Sequence, residues 1–324
     1  MEQWKHHSGT DTLIPYKLRK KSNIFSDIRN NYFSYIMLFP TFLYTLLFGY
    51  ITLPYMIIAF QEFNYRKGIF ASKWVGLKNF EFFLQSSSAW HVTWNTLKLN
   101  ILFIVFTTLI ALAFSIMLNE IKGKLYKKVI QSTYIFPNFI SWIIVSYIVF
   151  SFLSTQSGVI NISLKNLGLE PVSWYNNAKY WPVILVIIKV WKDAGMTCVI
   201  YLASITGIDG SLYEAATIDG ANRWQQIKHI TLPLLMPTVA ILTLLSTGKI
   251  FYGDFGMIYA LIGDNGLLYA TTDVIDTYVF RALRKIGDPS NAMAVGLYQS
   301  TVGFILVFSA NWITRKLFPE GAIY

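Results

Sequence analysis

The sequence predicts an all-α membrane protein with six transmembrane helices and a two-part cytoplasmic helix between spans four and five. Three observations favour this fold class. Hydrophobic residues make up 54% of the 324 residues and charged residues only 14%, whereas a soluble domain carries about 25% charged residues. Six apolar stretches reach the roughly 20 residues that a helix needs to cross about 30 Å of hydrocarbon. The charged residues concentrate between those stretches.

The six apolar stretches are assigned as spans in chain order, and the first begins YFSYIMLFPTFLYTLLFGY. Pro40 and Pro54 lie within it, so we expect a kink or a tilted, overlong helix there. Its length and the lack of a clear small-residue cleavage site argue against a cleavable signal peptide. The predicted spans cover residues 32–60, 94–118, 128–153, 180–206, 232–260 and 291–314.

Basic residues flank these spans and set their orientation. Short cytoplasmic loops carry an excess of lysine and arginine, so both termini are predicted to be cytoplasmic. The first loop is basic as well, but long loops count less in this rule. The basic clusters are Lys17, Arg19, Lys20 and Lys21 before the first span, Lys122, Lys124, Lys127 and Lys128 in the second loop, and Arg315 and Lys316 after the last span.

This topology divides the chain into three parts. Residues 1–31 form a basic cytoplasmic segment, residues 32–318 form the transmembrane domain, and residues 319–324 form a C-terminal tail. The loop at 207–233 joins spans four and five and is therefore predicted to be cytoplasmic.

The residue inventory excludes several functions. The single cysteine, Cys198, lies in an apolar run, so we expect a small buried hydrophobe and no disulfide. The four histidines show no metal-ligand spacing, so no metal site is predicted.

The net charge of +10 is spread around the spans, which argues against nucleic acid as a partner. No phosphate-binding G-x-x-x-x-G-K-[ST] motif and no catalytic triad is discernible, so neither a cofactor nor enzymatic activity is expected in this chain.

The loop between spans four and five reads EAATIDGANRWQQIKHITLP. Ser211 and Glu214 match a capping box, which predicts a helix from about Leu212. Asp219-Gly220 predicts a turn after about two helical turns, and a second short helix should follow over residues 222–229. Pro233 then opens or kinks span five. Taken alone, these features also fit an ordinary amphipathic helix at the membrane interface.

The spacing within this loop resembles the EAA loop of permease subunits of bacterial ABC importers. Every anchor position of that loop is matched, by Glu214-Ala215-Ala216, Gly220, Ile230 and Leu232-Pro233. The resemblance extends over nearly the whole chain from about residue 30, through WVGLKNFEFF, NTLKLN, VWKDAGMTCVIYLASI, DFGMIYAL, VIDTYVFRAL and AVGLYQS. These segments are similar to oligosaccharide and polysaccharide permeases of the maltose-transporter type.

The resemblance implies a function for the loop and a set of partners. In that family the EAA loop contains a coupling helix that docks on a cytoplasmic ATPase, which binds ATP and magnesium. It implies a second homologous permease, two ATPase subunits, an extracytoplasmic solute-binding protein and a bacterial cytoplasmic membrane, N-in and C-in. The coupling residues carried over to this sequence, or adjoining the motif, are Tyr213, Glu214, Ala215, Ala216, Asp219, Gly220, Ala221, Arg223, Leu232 and Pro233.

Polar residues inside the spans are candidates for lining a sugar passage. Ionisable groups are expensive in hydrocarbon, and sugars bind to aromatic faces together with amides and charged groups. Lys189 and Asp193 are spaced to neutralise each other on one helical face instead, so structural pairing is an equal alternative for any one residue. Lysines inside the predicted spans (Lys189, Lys192 and Lys249) also raise the hypothesis of a uronate-containing substrate. The candidates are Asn138, Trp142, Trp191, Lys192, Asp193, Lys249, Tyr252, Asp254, Tyr298 and Gln299.

Two other classes of function remain open at this point. An ion-driven secondary transporter would predict inverted repeats and midplane carboxylates, and no convincing internal repeat is found. A membrane scaffold without transport activity would give no reason for the polar residues inside the spans.

Overall fold

The computed structural model describes residues 24–317 and divides them after Tyr55 into two units. The basic cluster at 17–21 and the predicted tail at 319–324 lie outside the described residues. Within the described part, helices dominate and the only strands form one two-residue antiparallel ladder. This confirms the predicted all-α class.

The first predicted span is interrupted and does not form one regular helix. Pro40 lies inside the second helix, and Pro54 lies in a 3₁₀ segment that follows a π-helical turn. A proline inside a helix removes a backbone hydrogen bond and clashes with the preceding turn. The elements are α1 (Ile24–Asn30), α2 (Tyr32–Thr45), the π turn Leu46–Tyr50 and the 3₁₀ helix Leu53–Phe60.

A small ordered segment connects the first span to the second. Its two strands pair Gln61 with Trp74 and Glu62 with Lys73. The elements are β1 (Gln61–Glu62), α3 (Gly68–Ala71), β2 (Lys73–Trp74) and α4 (Lys78–Leu84).

The second span is one long helix, whereas the third is broken. The chain passes into a 3₁₀ turn at Pro137 and bends by 99° before the next helix begins. Ser141 caps that next helix with its side-chain oxygen. The predicted third span is therefore a bent pair of helices. The elements are α5 (Ser87–Glu120), α6 (Lys124–Ile135), the 3₁₀ helix Phe136–Phe139, α7 (Trp142–Leu153) and α8 (Val159–Asn166).

The fourth predicted span is the helix α9 (Trp181–Thr206), which packs along α5 at the centre of the second unit. Leu99 of α5 and Leu185 of α9 lie in the same buried apolar cluster. A Cβ atom on Gly195 would lie 1.8 Å from the carbonyl oxygen of Tyr134. Only glycine therefore lets α6 approach α9 this closely, as small residues do between membrane helices.

The fifth predicted span is continuous with the loop before it and ends early. Its helix stops at Gly248, and turns follow before the next short helix begins after Asp254. One span over 232–260 is therefore wrong, because turns interrupt the helix close to Lys249. The elements are α10 (Gly210–Ile218), α11 (Arg223–Gln226), the π turn Ile227–Thr231, α12 (Leu232–Thr247) and α13 (Phe255–Ile262).

The remaining helices complete the second unit, and α16 is the sixth predicted span. Four helical stretches of the described chain are long and apolar enough to cross a membrane, or five if the bent pair counts as one span. α9 has the necessary length but carries Lys189, Lys192 and Asp193 near its middle. Six spans stay a prediction. The elements are α14 (Tyr269–Thr272), α15 (Ile275–Arg281), the π turn Ala282–Ile286 and α16 (Pro289–Leu317).

Candidate functional site

The loop between spans four and five begins with α10, which starts earlier than predicted. The carboxylate of Asp209 accepts a hydrogen bond from the backbone amide of Ser211 (2.9 Å) and caps the helix. This hydrogen bonding holds the pKa of Asp209 below its usual value. The predicted Ser211–Glu214 capping box and the start near Leu212 are therefore wrong, because the upstream carboxylate occupies the capping position.

α10 ends at Ile218 and the chain turns at Gly220, as the Asp219-Gly220 pair predicts. Gly220 has a φ of +80°, a left-handed conformation that glycine adopts without steric cost. The backbone amide of Ala221 donates to the carbonyl of Ala216 across this turn (2.8 Å). Such a bond closes the C-terminus of a helix and fixes the direction of the chain that follows.

The second part of the loop is the beginning of span five and not a separate helix. The side chain of Asn222 accepts from the amide of Gln225 (3.0 Å), and the side chain of Gln225 accepts from the amide of Asn222 (2.7 Å). This is a capping box. From Arg223 the helix continues through the π turn, so that Leu232 and Pro233 begin α12 without a break.

Side chains brace α10 against the start of span five. The hydroxyl of Tyr213 lies 3.0 Å from Oγ1 of Thr231, and Nε2 of Gln226 donates to Oγ1 of Thr217 (2.9 Å). Arg223, predicted to present charge to a partner, donates to Oε1 of Gln226 (3.4 Å). The two parts of the loop are thus held together by contacts within the chain.

The exposed side chains of the loop include the acid Glu214 and the two large apolar residues Ile218 and Trp224. Glu214 is exposed, and none of the ion pairs within residues 24–317 involves it. Ile218 is 86% and Trp224 is 80% exposed. Sequence reasoning missed these two, although large apolar residues in a polar loop were the available signal. Of the other predicted coupling residues, Ala215, Asp219, Gly220, Arg223 and Pro233 are exposed, and Tyr213, Ala216, Ala221 and Leu232 are half-buried.

Lys192, a predicted passage residue, is buried and holds the break in span three. Its Nζ donates to the carbonyl oxygens of Pro137 (3.2 Å), Asn138 (2.7 Å) and Ile140 (2.6 Å). The last carbonyls of a helix lack an intrahelical partner, and a lysine ammonium group has three donors. These contacts use the hydrogen-bonding capacity of Lys192 within the protein.

Lys189 pairs with two other predicted passage residues. Its Nζ lies 2.8 Å from Oδ2 of Asp193 and 2.7 Å from Oδ2 of Asp254. Asp254 also accepts from the backbone amide of Met257 (3.1 Å) and caps α13. The indole of Trp142 lies 5.6 Å from the same ammonium nitrogen, close enough for a cation–π contact. The structural pairing left open by the sequence is therefore present, and it joins α9 to the break in span five.

Amide and carboxylate side chains hold the interruption of span five. Nε2 of Gln299 donates to the carbonyl oxygen of Phe251 (2.9 Å) and to Oδ2 of Asp276 (2.9 Å). Nδ2 of Asn100 donates to the carbonyl oxygen of Ile250 (3.0 Å). Gln299 is thus bound within the protein. Asn100 and Asp276 are missing from the predicted set, although an amide in the middle of an apolar run was a signal for Asn100.

Three predicted passage residues keep exposed side chains. Lys249 is exposed and takes part in none of the ion pairs of the described chain. Tyr252 is 42% exposed and its hydroxyl donates to Oγ of Ser300 (3.4 Å). Trp191 is 46% exposed. The predicted passage residues therefore fall into two groups: those that are hydrogen-bonded or ion-paired within the protein, and those with exposed side chains.

The other predicted features are placed as follows. The ring of Tyr298 packs against Phe83 and Phe251, and Asn138 is half-buried. Cys198 is buried, as expected. Residues 24–317 contain no group of three or more histidine, cysteine or acidic side chains that could hold a metal ion.

Comparison with known proteins identifies the family. Residues 111–319 match the family described as binding-protein-dependent transport system inner membrane component, so the chain belongs to that family. It is 34% identical over 313 residues to the polygalacturonan/rhamnogalacturonan transport system permease protein YteP of Bacillus subtilis, covering 97% of each chain.

Solved structures agree with this assignment. The fold is similar to a chain of a bacterial ABC transporter involved in the import of the acidic polysaccharide alginate, with a TM-score of 0.83 and 33% identity over 92% of this chain and 100% of that one. A second structure shows a bacterial alginate transporter in complex with an alginate pentasaccharide-bound periplasmic protein, with a TM-score of 0.81, 32% identity and coverage of 91% and 98%.

Proposed function

We propose that the chain is a permease subunit of an ATP-driven importer of oligosaccharides in the bacterial cytoplasmic membrane. It forms the passage with a second homologous permease, and two cytoplasmic ATPase subunits bind and hydrolyse ATP. An extracytoplasmic binding protein delivers the sugar. Family membership and the alginate and polygalacturonan relatives support this proposal, and so does the predicted N-in, C-in orientation, which places the loop at 207–233 in the cytoplasm.

The observation that carries the proposal is the braced loop with its exposed side chains. Glu214, Ile218 and Trp224 are exposed on a backbone that internal hydrogen bonds hold in place. A partner that binds these side chains moves the loop as a rigid unit. Apolar side chains surrounded by polar ones are a common anchor in protein interfaces, and Glu214 adds a charge for a basic residue of the ATPase.

The loop is connected to both helix breaks through the two spans that flank it. α10 follows α9 after a connection of residues 207–209, and α11 runs directly into α12. Close to the loop, Oγ of Ser204 lies 2.8 Å from Oγ1 of Thr238 and links α9 to α12. When ATP binding draws the ATPase subunits together, α9 and α12 move with the loop. The differential contacts made in the two states supply the coupling free energy.

The exposed groups beside the span-five break are proposed to contact the sugar. Lys249 lies two residues beyond the end of α12. At a rise of 1.5 Å per residue it is roughly 25 Å along the helix axis from Leu232, near the far side of a hydrocarbon layer about 30 Å thick. Tyr252 and Trp191 offer aromatic faces. Because Lys189 and Lys192 are paired within the protein, Lys249 is the lysine left to attract a carboxylate. We therefore propose an oligosaccharide with uronate units.

Co-purification tests the coupling assignment. A Glu214→Lys, Gly220→Pro variant should lose the ATPase from the purified complex and lose transport. Glu170→Lys makes the same charge change at another exposed position and should retain both. Normal ATPase recruitment and transport by the double variant would show that the coupling assignment is wrong. A scaffold protein would bind partners without any uptake, and an ion-driven transporter would not need the ATPase.

A further inference from the structure

The segment between the first two spans carries an exposed aromatic and basic tip. The tip is defined here as residues 63–72, between β1 and β2. Phe70 is fully exposed and Tyr65 is 69% exposed, and Arg66 and Lys67 beside them are exposed too. Burial of a fully exposed phenylalanine in an apolar environment is favourable, so the tip offers a contact to a covering surface.

The tip has a fixed backbone. Oγ of Ser72 donates to the carbonyl of Gly68 (2.6 Å) and accepts from the amide of Asn64 (3.0 Å). The side-chain amide of Gln61 donates to the carbonyl of Ile69 (3.0 Å). The exposure of Phe70 is therefore a property of an ordered structure.

The tip is tied to the ends of membrane helices. The amide of Phe63 donates to Oγ of Ser290 (2.9 Å), the second residue of α16. The side chain of Asn79 donates to the carbonyl of Ala59 (2.9 Å), at the end of the first span. These bonds keep the segment at the level where the spans leave the hydrocarbon. The stacked indoles of Trp90 and Trp94, in the first two turns of α5, mark the same level, since tryptophan is enriched at membrane interfaces.

The segment is also basic. Residues 61–86 contain Arg66, Lys67, Lys73 and Lys78 against Glu62 and Glu81. None of the ion pairs among residues 24–317 involves one of these basic side chains. Basic residues near a bilayer surface are attracted to anionic lipid headgroups.

We propose that this tip is a membrane anchor that inserts Phe70 and Tyr65 into the lipid interface. Arg66 and Lys67 contact the phosphates of anionic headgroups. Large aromatic side chains next to basic ones are the composition of an interfacial anchor. The alternative occupant is a protein such as the solute-binding protein. Lipid is favoured because the bond from Phe63 to Ser290 holds the tip beside the bilayer, and the bond from Asn79 to Ala59 holds the rest of the segment there.

Spin labelling of the complete transporter in nanodiscs tests the anchor. The native Cys198 is buried, so a nitroxide reacts with an introduced cysteine. The label on Phe70→Cys should collide often with oxygen and several-fold less with a water-soluble nickel chelate than the label on Asn166→Cys. Asn166 is an exposed residue at the end of α8. Equal nickel accessibility at the two positions would overturn the proposal, as would protection that develops only when the solute-binding protein is added.

Varying the lipid charge tests the contact with the headgroups separately from the insertion of the aromatic side chains. In phosphatidylcholine nanodiscs that contain phosphatidylglycerol, the Phe70→Cys label should be less accessible to nickel than in phosphatidylcholine alone. Arg66→Gln with Lys67→Gln should remove this difference. A label that is insensitive to phosphatidylglycerol in the unsubstituted background would overturn the headgroup contact.

Discussion

The ammonium nitrogen of Lys192, on α9, donates a hydrogen bond of 2.6 Å to the carbonyl oxygen of Ile140, which lies in the break of span three. Two more carbonyls of the same break, those of Pro137 and Asn138, share that nitrogen. Non-helical backbone at membrane depth is tolerated where its polar groups are paired inside the protein or line a water-filled cavity. Lys192 provides that pairing from α9, the helix that leads to the loop at 207–233.

Replacement of Lys192 by methionine should destabilise the protein. The substitution removes the charged donor that the carbonyls of Pro137, Asn138 and Ile140 share, and loss of a hydrogen bond to a charged group costs about 1.5–3 kcal/mol. Thermal unfolding in detergent should therefore occur at a clearly lower temperature. Lys165→Met, which changes a lysine at the end of α8, serves as the control and should leave the unfolding temperature almost unchanged. Equal stability of the two variants would refute the role assigned to Lys192.

Gly195→Ala should separate α6 from α9. The added methyl group would lie 1.8 Å from the carbonyl oxygen of Tyr134, and a backbone atom cannot rotate away. Overpacking of this kind costs about 1–3 kcal/mol. Gly296→Ala is the matched control, because a Cβ there meets no atom within 4 Å. Unfolding in detergent should distinguish the two variants, and a tolerated Gly195→Ala would contradict the close approach.

Gly220→Ala should weaken coupling without unfolding the bundle. Alanine in the left-handed conformation costs about 1–2 kcal/mol, so the turn after α10 should relax and shift the exposed side chains of the loop. The measurement is ATPase activity of the assembled complex with and without the solute-binding protein. Gly210→Ala, whose Cβ meets open space, should behave like the wild type. Equal stimulation in both variants would argue against a fixed loop geometry.

Lys249→Gln should lower the preference for acidic over neutral oligosaccharides. An exposed ion pair is worth up to about 1 kcal/mol, so the preference should fall by up to about fivefold in competition uptake assays. Lys249→Arg keeps the charge and should retain the preference. If Lys249→Gln leaves the ratio of acidic to neutral oligosaccharide uptake unchanged, another group recognises the uronate carboxylate.

The sequence predicted the loop well because its signals are local. The turn at Gly220 and the helix before it follow from short-range backbone preferences. The capping assignment failed for the same local reason: Asp209 competes with Ser211 for the N-terminus of α10, and both are good caps. Pattern alone does not rank two adjacent candidates.

The breaks in spans three and five were missed because hydropathy measures composition and not helix continuity. Pro137 marked the first break, but a proline in a membrane helix often produces only a kink. Gly248, which lies at the break in span five, is a weaker signal for a break than a proline. The roles of Lys192 and Gln299 depend on carbonyls that are distant in sequence, so no spacing rule links them. By contrast, the spacing of Lys189 and Asp193 offers their pairing as one of two equal alternatives, because the two residues are one helical turn apart.

ATP-driven uptake in proteoliposomes tests whether the chain is a subunit of an ATP-driven sugar importer. The chain is reconstituted with a second permease and the ATPase, and an acidic oligosaccharide is supplied with the solute-binding protein. We expect uptake that requires ATP and is lost in the Glu214→Lys, Gly220→Pro variant, while Glu170→Lys transports normally. Uptake that proceeds without ATP and follows an ion gradient would contradict this proposal.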